Sequence, residues 1–401
     1  MKILMLGWEL PPFNSGGLGV ASYNLCKALS LNNGIDIEFI LPYNSQHNID
    51  FMRITPAIDQ SIKSIKRSGI AYDSFSYIDE QGQTRWLSMH DQQQIYEHAV
   101  SNLVENTTFD ILHAHDWLTF RAALKVRERK NVPIILHVHS IESDRSGNKH
   151  GNPAVQDIEY SAMNLADRII AVSNYTKLKI MEDYNVPENK IEVVHNKINP
   201  YEFVDYDQSN VYSGLAKFKE AGYSVVTSIG RLTIQKGLPN LLHAFKLVVE
   251  KNPKTILFIV GSGEQYRELI ELAAYLNIGQ NVMFADFQRG KNYRDAYLIG
   301  DLFVMPSVSE PFGITALEAI GYNSPILISK QSGVAEIIKN SLKVDFWDIN
   351  EMANQISAVI SDRVLHDELL NNSKREFENL SWDDAANDIH GIYNQFIGEA
   401  A

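Results

Sequence analysis

The sequence predicts an α/β protein built from two doubly wound, parallel-sheet domains. Three observations carry that expectation. Short β-branched runs alternate with longer amphipathic stretches along nearly all 401 residues. That alternation is the pattern of parallel strands joined by right-handed helical crossovers. It also comes in two series, separated by the polar stretch PYEFVDYDQSNVYS. Finally, a chain of this length suits two or three domains at ~150 residues each. The expected division is an N-terminal domain over residues 1–200, a second domain over 201–375, and a C-terminal helix over 376–401 that returns to the first.

The elements follow in order. Expected strands of the first series are Lys2–Trp8, Ile37–Leu41, Ile111–Ala114, Ile134–Val138, Arg168–Val172 and Ile191–Val194. Helical patterns include Val20–Leu29 and Ala162–Leu165. The second series places strands at Ser224–Ile229, Thr255–Val260, Asn281–Ala285, Leu302–Met305, Pro325–Ile328 and Lys343–Phe346, with helices at Leu238–Glu250 and Gln265–Leu276. The tail Trp382–Phe396 is amphipathic and reads as a helix docked across the domains. Residues 45–100 are the least regular. Within them DSFSYIDEQGQTRWLSM reads as a hairpin insertion turning at Glu80–Gly82. In doubly wound sheets ligands lie beyond the carboxyl ends of the strands, so with two domains the expected site is the cleft between them.

Composition narrows the functions. The chain is 45% hydrophobic and 21% charged, as ordinary globular proteins are. With 36 Lys+Arg against 49 Asp+Glu the net charge is −13, which argues against a general nucleic-acid or membrane-surface binder. Any polyanion site must then be a local basic patch. Cys26 is the one cysteine, so no internal disulfide framework or cysteine zinc cluster is available. The first apolar run is cut by Glu9 and is too short for a signal segment. No stretch approaches the ~20 apolar residues of a membrane span, and a cytoplasmic protein is expected.

Three loops have the chemistry to hold a phosphate. Asn14 to Gly19 (NSGGLG) stands between a strand and a helix, where Gly16 and Gly17 let backbone N–H groups approach an anion at a helix start. A dinucleotide fingerprint fits poorly, because Trp8 to Ser15 separate Gly7 from Gly16 and Glu38 sits mid-strand. The second loop, Ser228 to Gly237, carries Arg231 and Lys236 at a strand end, two cations able to clamp a diphosphate. The third, Ser307 to Glu318, runs SVSEPFGITALE. Its helix starts near Gly313, so the amides of Gly313, Ile314 and Thr315 point outward, bracketed by Glu310 and Glu318. Read alone, Glu318 is a helix-surface acid.

Two histidine pairs, His113-Ala114-His115 and His137-Val138-His139, end strands of the first domain, with Asp116 next in line. Each H-x-H puts both rings on one strand face. A divalent-metal hydrolase is one reading. In the other, His113 and His137 are hydrogen-bonded core groups while His115, Asp116 and His139 open to the cleft. Asp205-Tyr206-Asp207 forms a D-x-D in a tract polar enough to be solvated surface.

Taken together, these residues resemble the retaining glycosyltransferases of family four (glycosyl transferases group 1) and, beyond them, the bacterial and archaeal glycogen synthases. The resemblance rests on Gly16-Gly17-Leu18-Gly19, His113-Ala114-His115-Asp116-Trp117, Val138-His139-Ser140, Val194-His195-Asn196, Gly230-Arg231 with Lys236-Gly237, and E-P-F-G-x-x-x-x-E from Glu310 to Glu318. It implies a GT-B fold, two Rossmann-like domains facing across a cleft, with a nucleotide sugar bound mainly by the second. It implies that Arg231 and Lys236 neutralise the donor diphosphate without a metal or other cofactor, and that Glu318 holds the ribose. Glu310 and the backbone of Phe312, Gly313 and Ile314 would hold sugar and phosphate. Asp116 and His139 would contact the sugar near the reacting carbon, and Gly16 and Gly17 would close on the phosphates. The implied reaction moves a hexose, glucose in the glycogen-synthase-like reading, from a UDP-, ADP- or GDP-sugar to a glycan or small-molecule acceptor. Asn14 stands where α-glucan synthases usually carry lysine, so the donor base and polymerisation stay open. A sugar-nucleotide sensor without catalysis and a GT-B epimerase are the remaining alternatives.

Overall fold

The computed structural model describes residues 1–14, 16–44, 47–58, 64–67, 75–78, 82–147, 150–204 and 209–397. The chain divides into two compact units: Met1–Glu142, Asn152–Lys197 and Trp382–Ala401 form one, Ser143–Gly151 and Ile198–Ser381 the other.

In the first unit the strands are β1 (Lys2–Leu6), β2 (Asp36–Leu41), β3 (Arg53–Pro56), β4 (Ser64–Arg67), β5 (Phe75–Ile78), β6 (Thr84–Leu87), β7 (Ile111–His115), β8 (Ile134–Val138), β9 (Arg168–Ala171) and β10 (Ile191–Val193). Seven of them make one parallel sheet in the order β10-β9-β8-β7-β1-β2-β3. Runs such as ILHAH and IILHV are buried along their whole length, as parallel strands covered on both faces must be. The expected hairpin appears as β5 and β6, paired antiparallel with Ile78 opposite Thr84. A third strand not anticipated from the sequence, β4, pairs with β5. The expected turn residues Glu80 and Gln81 lie outside the described residues.

The C-terminal helix Trp382–Ile397 belongs to this first unit and packs on the helix Gly17–Asn33. Asn33 Nδ2 donates to Asn387 Oδ1 at 3.0 Å, and buried Tyr393 reaches the sheet.

The second unit holds β11 (Ser224–Ile229), β12 (Thr255–Val260), β13 (Val282–Ala285), β14 (Leu302–Met305), β15 (Ile326–Ser329) and β16 (Leu342–Val344). They form a parallel sheet in the order β13-β12-β11-β14-β15-β16. The helix Leu238–Lys251 buries Leu241, Leu242, Phe245 and Val248 against Val226, Leu257, Ile259 and Val304. Each such fully buried side chain contributes about 1.5–3 kcal/mol, so the strand ends that carry the loops are firmly held.

The polar stretch expected as a linker is only partly one. Pro200–Phe203 forms a 3-10 turn, and the Phe203 ring packs edge-on against Tyr322 and Phe377 of the second unit. The half-buried ring thus gives this polar stretch one apolar attachment. Asp205 and Asp207 of the D-x-D lie outside the described residues. Among the described residues no helix is long and apolar enough to cross a membrane.

Candidate active site

Both parallel sheets reverse direction of strand addition next to their first strand, between β1 and β7 and between β11 and β14. Loops leaving the two strands at such a switch point diverge and open a crevice, the ligand position of doubly wound sheets. In the second unit those loops are Gly230–Gly237, after β11, and Pro306–Gly313, after β14. They are the two cation- and acid-bearing loops singled out from the sequence.

Their approach is very close. Gly237 has φ 64°, a left-handed conformation, and a Cβ there would sit 2.2 Å from the Pro306 carbonyl oxygen. Only glycine fits. Gly237→Ala should lower stability by at least about 1–3 kcal/mol from backbone strain alone, read as a shifted urea midpoint. An unchanged midpoint would contradict the loop contact.

Gln235 sews the loops together: its Nε2 donates to the Ser309 carbonyl at 3.0 Å, and its own carbonyl accepts from Val308 N at 2.8 Å. Arg231 Nη2 donates to Gln235 Oε1 at 3.4 Å. Lys236 Nζ meets Glu310 Oε2 at 2.5 Å, and Ser307 Oγ donates to the same oxygen at 2.9 Å. The backbone of Glu310 is fixed from the other side, its N–H donating to Gln331 and its carbonyl accepting from Gly333. Arg231, Lys236, Ser307 and Thr315 line one pocket. The helix Ile314–Gly321 begins there, behind Gly313 at φ 104°, with no side chain capping its first amides. Phe312 contributes backbone, since its ring is buried.

Glu318 is more constrained than a helix-surface acid. Its Oε2 accepts from Tyr293 Oη at 2.7 Å and Tyr297 Oη at 2.9 Å. Burial pushes its carboxyl above the usual glutamate range, partly offset by the two phenols. Burial, with the Glu318 charge beside them, raises both tyrosines. The sequence reading missed this pair, although the four-residue spacing of Tyr293 and Tyr297 on one helix was a usable signal.

In the first unit, Gly16 and Gly17 are exposed at the start of the helix Gly17–Asn33. Glu9, unassigned from the sequence, is buried there and its Oε1 accepts from Gly19 N at 3.2 Å. Asp116 follows β7 with φ 61°, an unusual conformation for a residue other than glycine. Its Oδ1 accepts from the backbone N–H groups of His139 at 2.6 Å and Ser140 at 3.2 Å. The Asp116 carboxylate thus ties the ends of β7 and β8 together.

The four histidines form a stack. The β7–β8 register sets His115 opposite His137. Ring centroids are 4.6 Å apart for His113–His115 and 4.4 Å for His137–His139. His113 Nδ1 meets Tyr393 Oη at 2.5 Å, and His115 Nδ1 meets His139 Nε2 at 3.0 Å. His115, expected to open outward, is fully buried instead, because its side of β7 is the stacked face. Burial depresses all four, His115 to about 3, so they are neutral at pH 7. His113, His115 and His137 have ring nitrogens close enough to suggest a metal site. However, the ring planes lie 13–30° from parallel. His113 Nε2 and His137 Nδ1 meet each other at 3.3 Å as a hydrogen-bonded pair, and His115 is stacked over both with its nitrogens in a separate layer, whereas ligands of one ion must aim at a common point. The stack is a poor fit for a metal.

Two 3-2-1-4-5-6-type Rossmann-like units, the second carrying this clustered cationic and acidic switch point, define a glycosyltransferase of the GT-B fold. Residues 15–202 match glycosyltransferase family 4 and residues 216–376 match glycosyl transferases group 1, and the chain belongs to this family of transferases. It is 28% identical to an uncharacterized glycosyltransferase of Methanocaldococcus jannaschii, covering 98% of both chains. It is 26% identical to a glycogen synthase of Mycobacterium tuberculosis over 90% of this chain and 86% of that one. The crystal structure of Anabaena HepE in complex with UDP-glucose superposes with a TM-score of 0.72 at 18% identity, over 98% of this chain and 100% of that one, a likeness of fold.

Proposed function

We propose that the protein transfers a hexose, with retention at the anomeric carbon, from a nucleoside diphosphate sugar to a glycan or small-molecule acceptor. The observation that carries this reading is the Lys236–Glu310 pair beside Arg231 at an uncapped helix start. That is a cation pair for a diphosphate next to an acid for sugar hydroxyls. The glycogen synthase relative and the UDP-glucose held by HepE support this class of donor.

Departure of the nucleoside diphosphate builds negative charge on its β-phosphate. Arg231, Lys236 and the amides of Gly313, Ile314 and Thr315 are fixed before the reaction, so they stabilise that charge without reorganising. This supplies at the diphosphate what a bound metal supplies elsewhere. Glu310 orients the transferred sugar, and Glu318 accepts from the ribose hydroxyls. The Asp116 carboxylate, held by the His139 N–H, suits the positive charge developing at the anomeric carbon, and Gly16 and Gly17 serve the phosphates. With no carboxylate assigned as nucleophile, the acceptor attacks on the face that the leaving phosphate vacates, and the phosphate takes its proton.

Thermal-shift screening against UDP-, ADP- and GDP-sugars, followed by assay of nucleotide release and transfer with and without EDTA, tests the reading. Stabilisation by one nucleotide sugar, with EDTA-insensitive turnover, is expected. Stabilisation with neither transfer nor donor hydrolysis would leave a sensor and sink the proposal.

Glu318→Gln should weaken nucleotide affinity roughly 10-fold or more, since a hydrogen bond to a charged group is worth about 1.5–3 kcal/mol. The raised carboxyl also sets a sign. Burial disfavours the ionised form, and that folding cost disappears as pH falls through the raised value. Wild-type donor affinity should therefore decline on mild acidification before ordinary carboxylates titrate, and the decline should flatten in Glu318→Gln. Equal affinity in both proteins at neutral pH would refute the ribose assignment.

A further inference from the structure

The donor loop has a support that comes from the other half of the sequence. Ser143–Gly151, between β8 and the helix Pro153–Leu165, groups with the second unit. Within it Asp144 is fully buried. Its Oδ1 accepts a short hydrogen bond from the hydroxyl of Ser309, itself fully buried. Three residues on, Gly147 lies against Ile234, beside Gln235 and Lys236. A buried hydroxyl needs an acceptor and a buried carboxylate needs donors, so each partner fixes the other. Ser309 immediately precedes Glu310, and its carbonyl is the one held by Gln235.

We propose that Asp144 is a positioning residue for the donor site: it anchors Ser309 and thereby sets where the neighbouring Glu310 carboxylate stands against Lys236 and Ser307. Asp144 need touch no substrate to act. Backbone bonds to Gln331, Gly333 and Gln235 set the path of the loop, and Asp144 adds an anchor on a side chain of the loop itself, next to Glu310. Glu318 is held by Tyr293 and Tyr297, and Arg231 is tied through Gln235 to the backbone carbonyl of Ser309, a bond that does not use the Ser309 hydroxyl. Loss of Asp144 therefore disturbs the sugar position and spares nucleotide binding.

The inference rests on the reading of Glu310 as the sugar-site acid. Its test uses the full chain and, among UDP-, ADP- and GDP-glucose, the donor that shifts wild-type melting most. Asp144→Ala and Ser309→Ala should each lower kcat at least about 10-fold, the scale on which small misplacements act, with the nucleoside diphosphate Kd within about twofold. The double variant should fall no further than either single, as expected for one shared interaction. Asp144→Asn keeps an acceptor oxygen and should recover most of the rate. If Asp144→Ala fails to fold, Ser309→Ala, which removes one oxygen, carries the test. A kcat within twofold of wild type in Ser309→Ala, additive losses, an Asn variant as damaged as the Ala variant, or a loss confined to nucleotide Kd would each overturn the proposal. Glu310→Ala separates the two failures. If it retains activity, the sugar-site reading falls. If it abolishes activity while Ser309→Ala does not, only the role of Asp144 falls.

Discussion

Lys236→Ala is expected to lower kcat roughly 10²–10³-fold, the cost of removing one preorganised charge donor from a site where negative charge develops. Its ammonium is held on the end of a 3-10 turn, Ile234–Lys236, with its nitrogen 2.5 Å from Glu310 and its side chain 20% exposed. It is therefore partly shielded, and its attraction for a phosphate is screened less than that of a surface lysine. Removal has a second consequence, because Glu310 is left with Ser307 as its side-chain donor. Two like-charged groups, the glutamate and the leaving diphosphate, then face each other without the cation between them. Nucleoside diphosphate affinity should fall along with the rate. Lys236→Arg should restore charge but only part of the rate, since a planar fork does not reproduce a point donor. Single-turnover rates and nucleotide Kd values for the three proteins decide the matter. Wild-type kcat in Lys236→Ala would remove the diphosphate assignment.

Glu310→Ala should separate the two halves of donor recognition. Transfer is expected to be nearly abolished while nucleotide affinity stays largely intact. Glu310 supplies acceptors for sugar hydroxyls, whereas Arg231, Lys236, Glu318 and the helix amides serve the nucleotide. Loss of the carboxylate also frees Lys236 from its partner, so the diphosphate meets a stronger cation and Kd should not rise. Stability must be followed in parallel, because breaking a buried ion pair leaves an uncompensated charge and costs about 3–5 kcal/mol when burial is complete. Here the side chains are 20% and 10% exposed, and part of that penalty is relieved by water. Glu310→Gln, which keeps the shape and loses the charge, is the control for folding. A transfer rate within about twofold of wild type in Glu310→Ala would end the sugar-site assignment.

Much of the fold was legible because the central strands are short runs dominated by β-branched and other apolar residues. Thr255–Val260 (TILFIV), Leu302–Met305 (LFVM) and Ile134–Val138 (IILHV) show this plainly, and Ser224–Ile229 (SVVTSI) sets small hydroxyl residues among its β-branched ones. Elements with mixed composition were not. The helix Met89–Leu103 reads MHDQQQIYEHAVSNL, and the partly exposed edge strand Arg53–Pro56 reads RITP. Neither shows a clear period, and their shape comes from what they pack against. Among site residues, glycines and cations flanking strands announced themselves. Asp144, Ser309, Gln235, Tyr293 and Tyr297 did not, because a buried polar side chain is recognised by its partner and the partners lie far away in sequence. The burial of His115 had the same cause: alternation along β7 gives its face, and only packing from elsewhere in the chain, such as Ser22 of the helix Gly17–Asn33 with its Oγ 3.5 Å from His115 Nδ1, shows that face to be covered.

The sequence by itself determined the alternation of strands and helices, the loops that bear charge, and the edge of each sheet where those loops emerge. These follow from local side-chain periodicity and from the conformations that glycine alone permits. Tertiary structure decided that β14 lies beside β11 rather than beside β13, which brings Lys236 to Glu310 across 74 residues. It also decided that Asp144 joins them. Parallel pairing is non-local, and its order is chosen by which arrangement buries both faces of the whole sheet, a property that no single segment carries.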